Sequence, residues 1–264
     1  WEGGMVTPAL KKMFEGEGVG LLPLREGGLH LCDELRAVGV ETVVTGSKLA
    51  TAADRAVSQG PAKLTTAFER TLDLEGHPFL ASHVINGKPV LPLAMMMEWL
   101  AHGAMHAHPG LDFCGLDDLR VLKGVILDGQ PRAVRAAAGK AVKEGALYRV
   151  PVELRGDGDL VHARGAVLLG RRPEAPAAAP RTALAAYARG IRAAYAEVLF
   201  HGPDFQGIEA VEGCAEAGIT VAVKAAPAPS VWLKHPPRAA WVCDPLALDA
   251  AFQAAILWSA ERTG

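Results

Sequence analysis

Two stretches of this chain are apolar on nearly every side and frame the rest. Leu93–Ala107 carries a Met95-Met96-Met97 run followed by Trp99 and Leu100, a composition that predicts a helix buried all round. Pro245–Ala260 predicts a second buried helix. Between them the hydrophobic period changes. Tyr148, Val150, Val152 and Leu154 alternate with polar or proline positions, and a period of two marks a half-buried antiparallel strand. Gly156-Asp-Gly-Asp159 then reads as a turn and Val161–Leu169 as the returning strand. Further strands are predicted at Phe68–Leu74, at Leu119–Leu127 and as a pair within Ile208–Val223, with a helix near Leu184–Glu197. Pro151 cannot donate a ladder hydrogen bond, so its strand is expected at a sheet edge.

Composition shifts divide the chain. Residues 172–183, containing Arg172-Pro-Glu-Ala-Pro-Ala-Ala-Ala-Pro180, form a semi-rigid Pro/Ala linker between segments 63–171 and 184–264. Residues 47–62 are small and polar, a second linker. In residues 1–46, Thr7-Pro8 starts a helix through Ala9–Phe14, with Thr as N-cap and Pro at the first helical position. An apolar run (Val19–Leu24), a glycine pair at 27–28, a helical stretch (Leu29–Val38) and a strand-like Val40–Val44 follow. Each of the two large segments combines strands with one long helix, so the class is α+β.

The 264 residues are half hydrophobic, enough for a substantial core, and the net charge of −2 gives no reason to expect nucleic acid as a partner. No uninterrupted apolar stretch reaches membrane-spanning length. The opening Trp-Glu-Gly-Gly lacks a basic-then-apolar leader, and with the Thr-Gly ending it reads as a piece excised from a longer polypeptide. Cys32, Cys114, Cys214 and Cys243 are scattered without a C-x-x-C pair, which fits free thiols in a cytoplasmic protein. No Gly-x-Ser-x-Gly, His-Glu-x-x-His or phosphate-binding loop occurs.

Three motifs carry the chemistry. His83-Val-Ile-Asn-Gly87-Lys-Pro-Val-Leu-Pro92 is His-x3-Gly-x4-Pro, and Leu248-Asp249-Ala-Ala-Phe-Gln253 is Asp-x3-Gln inside an apolar run. His201-Gly202-Pro203-Asp204-Phe205-Gln206 lies between them. Together, in this order, they resemble the dehydratase domain of modular or iterative polyketide synthases and polyunsaturated-fatty-acid synthases, over roughly residues 63–264. The phrase from Asn86 to Leu100 leans toward the polyunsaturated-fatty-acid branch. The resemblance implies a double hotdog, two antiparallel sheets each wrapped around a long helix, with the second hotdog incomplete here. It also implies dehydration of 3-hydroxyacyl chains on a phosphopantetheine arm, without metal or nucleotide cofactor. Implied partners are an acyl carrier protein, neighbouring ketoreductase and ketosynthase domains, and a second copy in a homodimer. Residues 1–46 resemble the C-terminal end of a ketoreductase, lacking its glycine-rich loop and Ser/Tyr/Lys set, so no reductase activity is assigned to them.

Dehydration requires a base for the proton beside the thioester and an acid for the departing hydroxide. A histidine, largely neutral near pH 7, suits the first role, and a carboxyl in an apolar pocket suits the second. His83 and Asp249 fit these roles by type, although 166 positions separate them. Gln253, one helical turn after Asp249, would share its face and orient the carboxyl. The resemblance implies that the Gly87 N–H approaches the thioester oxygen and that Pro92 directs the chain into its helix. His201 stands where the family commonly has Tyr, and His201 and Gly202 are assigned to substrate binding. Ser82 and Leu93 also depart from the family, which often has Asp and a smaller residue there.

Each reading has a plainer competitor. A lone His before a Gly-Pro loop is more often structural, whereas a carboxyl buried without purpose is costly. Glu98, His102 and His106 repeat at helical spacing and could be metal ligands. The simpler account is that His102, His106 and His108 lie near a helix C-terminus, which favours them. Arg181, Arg189, Arg192, Lys234 and Arg238 could meet an acidic carrier protein, or form an ordinary solvated face. Two functions besides dehydration fit the motifs: ring closure as in product-template domains, and a catalytically silent module that binds acyl chains or scaffolds its neighbours.

Overall fold

The computed structural model describes residues 6–16, 21, 23–25, 27–29, 63–171 and 184–263. The chain divides into two compact units, Trp1–Ala62 and Lys63–Gly264. In the first, helix α1 (Pro8–Gly16) begins at the expected cap: the Leu10 N–H donates to Thr7 Oγ1 at 3.3 Å and the Lys11 N–H to Thr7 O at 2.8 Å. The stretches Leu29–Val38 and Val40–Val44 and both linkers fall wholly or almost wholly outside the described residues, and of Val19–Leu24 only residues 21, 23 and 24 lie within them.

The larger unit opens with strand β1 (Thr65–Leu72), a short hairpin of β2 (Val84–Ile85) and β3 (Lys88–Pro89), and helix α2 (Leu93–Ala107). Strands β4 (Asp112–Val121), β5 (Arg132–Ala138), β6 (Val142–Glu144), β7 (Leu147–Arg155) and β8 (Val161–Gly170) follow. They make an antiparallel sheet in the order β1-β5-β7-β8-β4, with β6 pairing β7. The period of two appears where expected: Val150, Val152 and Leu154 are buried, and the residues between them are partly exposed. Helix α2 packs on β1, β4, β5, β7 and β8. Its Met95, Trp99 and Leu100 are fully buried, as the all-round apolar composition requires. This is the hotdog arrangement, a sheet wrapped on one long helix.

Two expectations are corrected here, and one strand was not foreseen. Pro151 is not at a sheet edge, because β7 is flanked by β8 on one side and by β5 and β6 on the other. The β5 pairing ends opposite Val152 and the β6 pairing begins at Arg149, so the missing N–H falls at the gap between two partners. There the Pro151 carbonyl still accepts the Gly139 N–H at 2.9 Å. The strand expected at Leu119–Leu127 instead runs Asp112–Val121, and Val125 joins the core from outside it. Strand β5 is absent from the hydrophobic pattern because it is built of alanines. Small residues are what the packing demands there: a Cβ on Gly103 of α2 would lie 3.2 Å from that of Ala136, so helix and strand run unusually close.

The second half holds helix α3 (Ile191–Glu197), strands β9 (Ile208–Ala215) and β10 (Gly218–Val223), the short helix α4 (Pro229–Trp232) and helix α5 (Pro245–Thr263). The helix expected from Leu184 starts only at Ile191. Before it the chain is irregular, and the Ala185 carbonyl accepts the Cys214 N–H at 2.9 Å. Helix α5 buries Leu246, Ala250, Ala254 and Leu257 on one stripe but leaves Phe252 and Ile256 exposed, so among the described residues it is one-sided rather than buried all round. Two paired strands flank it. Among the described residues no helix is long and apolar enough to cross a membrane.

Asp244 fixes where α5 begins. Its Oδ1 accepts the N–H groups of Leu246 and Ala247 at 3.0 and 2.9 Å, an N-cap before Pro at the first helical position. Both carboxylate oxygens also accept the Ala226 N–H. Replacing Asp244 by Ala is therefore expected to lower stability by about 1–2 kcal/mol in urea denaturation, with the slope of the transition unchanged.

Candidate active site

The His83 motif is a closed ring of chain. His83 follows the 3-10 turn Pro78–Ser82, and the β2–β3 hairpin then brings Val90 back opposite it. The Val90 N–H donates to His83 O at 3.0 Å, and the His83 Nδ1–H donates to Val90 O at 2.8 Å. A carbonyl only accepts, so Nδ1 carries the hydrogen and the lone pair of the neutral ring is on Nε2. The hairpin turns on Asn86 (φ 51°) and Gly87 (φ 74°), the left-handed pair of a type I′ turn. Gly87 thus sits exposed at a hairpin tip, with no atom within 4 Å of where its Cβ would be. The turn requires its left-handed conformation. Pro92 is the N-cap residue of α2, and its carbonyl accepts the Met95 and Met96 N–H groups, both at 3.1 Å.

The His201 motif meets this ring across the seam of the two halves. His83 and His201 form an antiparallel bridge, and the Gly202 N–H donates to Ser82 O at 2.7 Å. That donor is committed to the seam and is not free for substrate, which corrects the role expected for Gly202. A Cβ there would lie 2.8 Å from Ser82 Cα. Ser82 is equally occupied: its hydroxyl donates to Asp204 Oδ2 at 2.7 Å and accepts the Asp204 N–H at 3.2 Å.

Helix α5 delivers the carboxyl. Asp249 is 4 % exposed, and its Oδ2 lies 3.2 Å from His201 Nε2. Gln253, fully buried one turn later, donates from Nε2 to Asp249 Oδ2 at 2.6 Å and to Phe205 O at 2.7 Å. Its amide oxygen accepts from the Tyr195 hydroxyl at 2.7 Å, and that hydroxyl accepts the Ile208 N–H at 2.9 Å. Tyr195 escaped sequence reasoning because nothing in an exposed-looking helix marks a tyrosine aimed at a glutamine 58 positions on. The ligating atoms of His83, His201 and Asp249 all lie within 4.8 Å of one another, and all three residues are buried. Burial, which penalises the charged imidazole, holds the His83 pKa below its usual value, against a smaller upward pull from the Val90 carbonyl and Asp249.

Aromatic rings wall the site. Phe205 lies 5.6 Å from the His83 ring and packs with Phe79 and Trp232 beneath it. Phe200 stacks on His201 at 4.0 Å and meets His83 edge-on at 5.1 Å, while remaining 44 % exposed. It therefore stands between the two imidazoles and solvent. Surface clefts of about 460, 440 and 350 Å³ are lined by neither His83, His201 nor Asp249, although Tyr195 and Gln206 line the second.

The remaining candidates lie elsewhere. Glu98 accepts the Val242 N–H at 2.9 and 3.0 Å and the Cys243 N–H at 2.6 Å, and His102 Nδ1 accepts from Arg238 Nε at 2.7 Å. These side chains clamp the segment before α5 onto α2, which serves neither a metal nor a helix end. His106 lies in the last turn of the helix and His108 is its C-cap residue, whose Nε2–H donates to Gly139 O at 2.9 Å. Desolvation, aided by Arg238, lowers the His102 pKa to about 4. Of the basic residues considered for carrier docking, Lys234 pairs with Glu75, Arg238 with His102, and Arg189 with Glu197. Arg192 is exposed, and Arg181 lies outside the described residues.

Comparisons with known proteins agree with this geometry. A family model described as "Polyketide synthase dehydratase domain" matches residues 51–151, and one described as "Polyketide synthase dehydratase N-terminal domain" matches 171–263. The chain is 32 % identical over 275 residues to one subunit of the polyunsaturated fatty acid synthase from a Thraustochytrium species, and spans 9 % of that protein's length. Among solved structures, the dehydratase domain from the CurF module of the curacin polyketide synthase superposes with a TM-score of 0.55 at 19 % identity, covering 71 % of this chain and 68 % of that one. An isomerase-inactive variant of GphF DH1 gives 0.54 at 20 % identity, covering 73 % and 67 %. The fold is the double hotdog of these domains.

Replacing Tyr195 by Phe leaves the Gln253 amide oxygen and the Ile208 N–H without their partner in a buried place. The expected cost is about 1–3 kcal/mol of stability, read as a lower melting temperature.

Proposed function

Since the chain belongs to the polyketide synthase dehydratase family, we propose that it converts carrier-bound 3-hydroxyacyl thioesters to 2-enoyl thioesters, with His83 as base and Asp249 as acid. One observation carries the reading. An imidazole and a carboxyl 166 positions apart converge within 4.8 Å at a buried place, close enough to serve adjacent carbons of one acyl chain.

The chemistry follows from the hydrogen bonds. His83 Nε2, which carries the lone pair of the neutral ring, accepts the C2 proton, and electron density moves toward the thioester carbonyl. Asp249 Oδ2 is held by Gln253 and lies beside His201, so the carboxyl would act through Oδ1, giving the leaving group its proton. The proton passes to the 3-hydroxyl, the C3–O bond breaks, the C2–C3 double bond forms and water departs. Proton return from imidazolium to carboxylate restores the starting state. Neither step draws on a metal or a nucleotide. His201 would hold the substrate hydroxyl in place of the family's tyrosine.

The convergence of His83 and Asp249 also speaks against a silent acyl-binding module, for which the two would face separate places. The size of the Thraustochytrium relative supports a setting beside further synthase domains. In that setting an acyl carrier protein would present the substrate on its phosphopantetheine arm, within a cytoplasmic, homodimeric assembly.

Incubation with a 3-hydroxyacyl pantetheine or carrier-protein thioester should yield product lighter by one water in mass spectrometry. His83→Ala and Asp249→Asn are each expected to lower turnover by about 10²–10⁴-fold, and full turnover in either variant removes that residue's role. The pH profile gives an independent check. The base must be neutral, and burial lowers the His83 pKa, so activity is retained as pH falls through 6.5. The acid limb of kcat/KM is expected to have its midpoint below that value.

A further inference from the structure

The groups that meet at the seam also form a donor set. Two imidazoles and a carboxylate match what transition-metal dications prefer, whereas Mg²⁺ and Ca²⁺ favour oxygen ligands alone. The His201 Nε2 to Asp249 Oδ2 separation of 3.2 Å is close to the ~3.4 Å edge of a tetrahedron with metal–ligand bonds of about 2.0–2.1 Å. The third ligand atom lies within 4.8 Å of both, a contraction within the reach of side-chain adjustment.

The outer partners suit a metal as well. The Val90 carbonyl fixes His83 Nδ1 as donor and leaves Nε2 free, and the Gln253 amide orients the Asp249 carboxylate. Metal sites hold their ligands through hydrogen bonds of this kind. His201 completes the set. Its side chain is 3 % exposed and its Nε2 is the atom beside Asp249, so a neutral ring with its proton on Nδ1 offers that nitrogen a lone pair for a metal. The tyrosine common at this position in the family would supply a protonated phenol, a poor ligand, in its stead.

We propose that His83, His201 and Asp249 bind a transition-metal dication, Zn²⁺ foremost, and that occupation stops dehydration by taking the His83 lone pair and the Asp249 carboxylate. The site stands on its own geometry, while its inhibitory consequence rests on the dehydratase reading.

Equilibrium dialysis of the chelator-treated chain against Zn²⁺ is expected to retain one ion per chain in the presence of excess Mg²⁺. Co²⁺ in its place should give visible d–d absorption. His201→Tyr and Asp249→Asn should each weaken binding by about 100-fold or more, with circular dichroism confirming that they fold. Should either fail to fold, Gln253→Ala, which removes only an outer partner, is expected to weaken binding by about 10–100-fold. No stoichiometric Zn²⁺, or affinity unchanged in the folded variants, overturns the site. Turnover of the chelated chain that Zn²⁺ abolishes supports the inhibitory role, and turnover that Zn²⁺ leaves unchanged or raises overturns it. A chelated chain without turnover counts against the dehydratase reading, and dialysis then decides the metal site alone.

Discussion

Everything chemical in this molecule depends on one close backbone contact. The Gly202 N–H reaches the Ser82 carbonyl at 2.7 Å, and the residues beside it, His201 and His83, pair as a lone antiparallel bridge between the halves. Only glycine allows the approach, because a Cβ would press on Ser82 Cα. The bridge sets where the two imidazoles stand, and the 3-10 turns beside them, Pro78–Ser82 and Pro203–Phe205, pack against each other. A wider seam would leave the same side chains on the same elements without a common site.

The carboxyl depends on a different device. Asp249 is held inside a network in which Gln253 satisfies a carboxylate, a carbonyl and a hydroxyl at once, and Tyr195 closes the circuit on a backbone N–H. A buried polar network of this kind is stable only if every member is satisfied. It fixes the side-chain rotamers before any substrate arrives. The Asp244 cap and the Glu98 clamp place α5 against α2, so the carboxyl inherits its position from a helix that is itself anchored at its start.

How far the sequence revealed this depends on the range of the forces involved. Helix α2, strands β7 and β8 and the cap at Thr7 were legible because periodicity and capping are local. The pairing of Asp249 with Gln253 was legible because one helical turn is a fixed distance. Strand β5 was not, since its alanines answer to Gly103 on a helix some thirty positions earlier. Pro151 misled because its missing donor falls at a gap between two partners that only the assembled sheet defines. Gly202 was assigned to substrate binding, whereas its N–H serves the seam, and nothing local announced that Gly87 also serves a turn. Ser82, read as a departure from the family, is explained by Asp204, 122 positions away.

The tether between the His83 ring and the Val90 carbonyl gives the surface loop between them an unusual stiffness in length. Loop tips that point into water normally tolerate insertion. Here adding or removing one residue would shift the strand pairing by one and turn the Val90 carbonyl to the opposite face. The imidazole would then lose the anchor that selects its tautomer, although His83, His201 and Asp249 themselves were unchanged. The count of residues between His83 and Val90 is therefore itself a constraint on the chemistry, enforced from the solvent side.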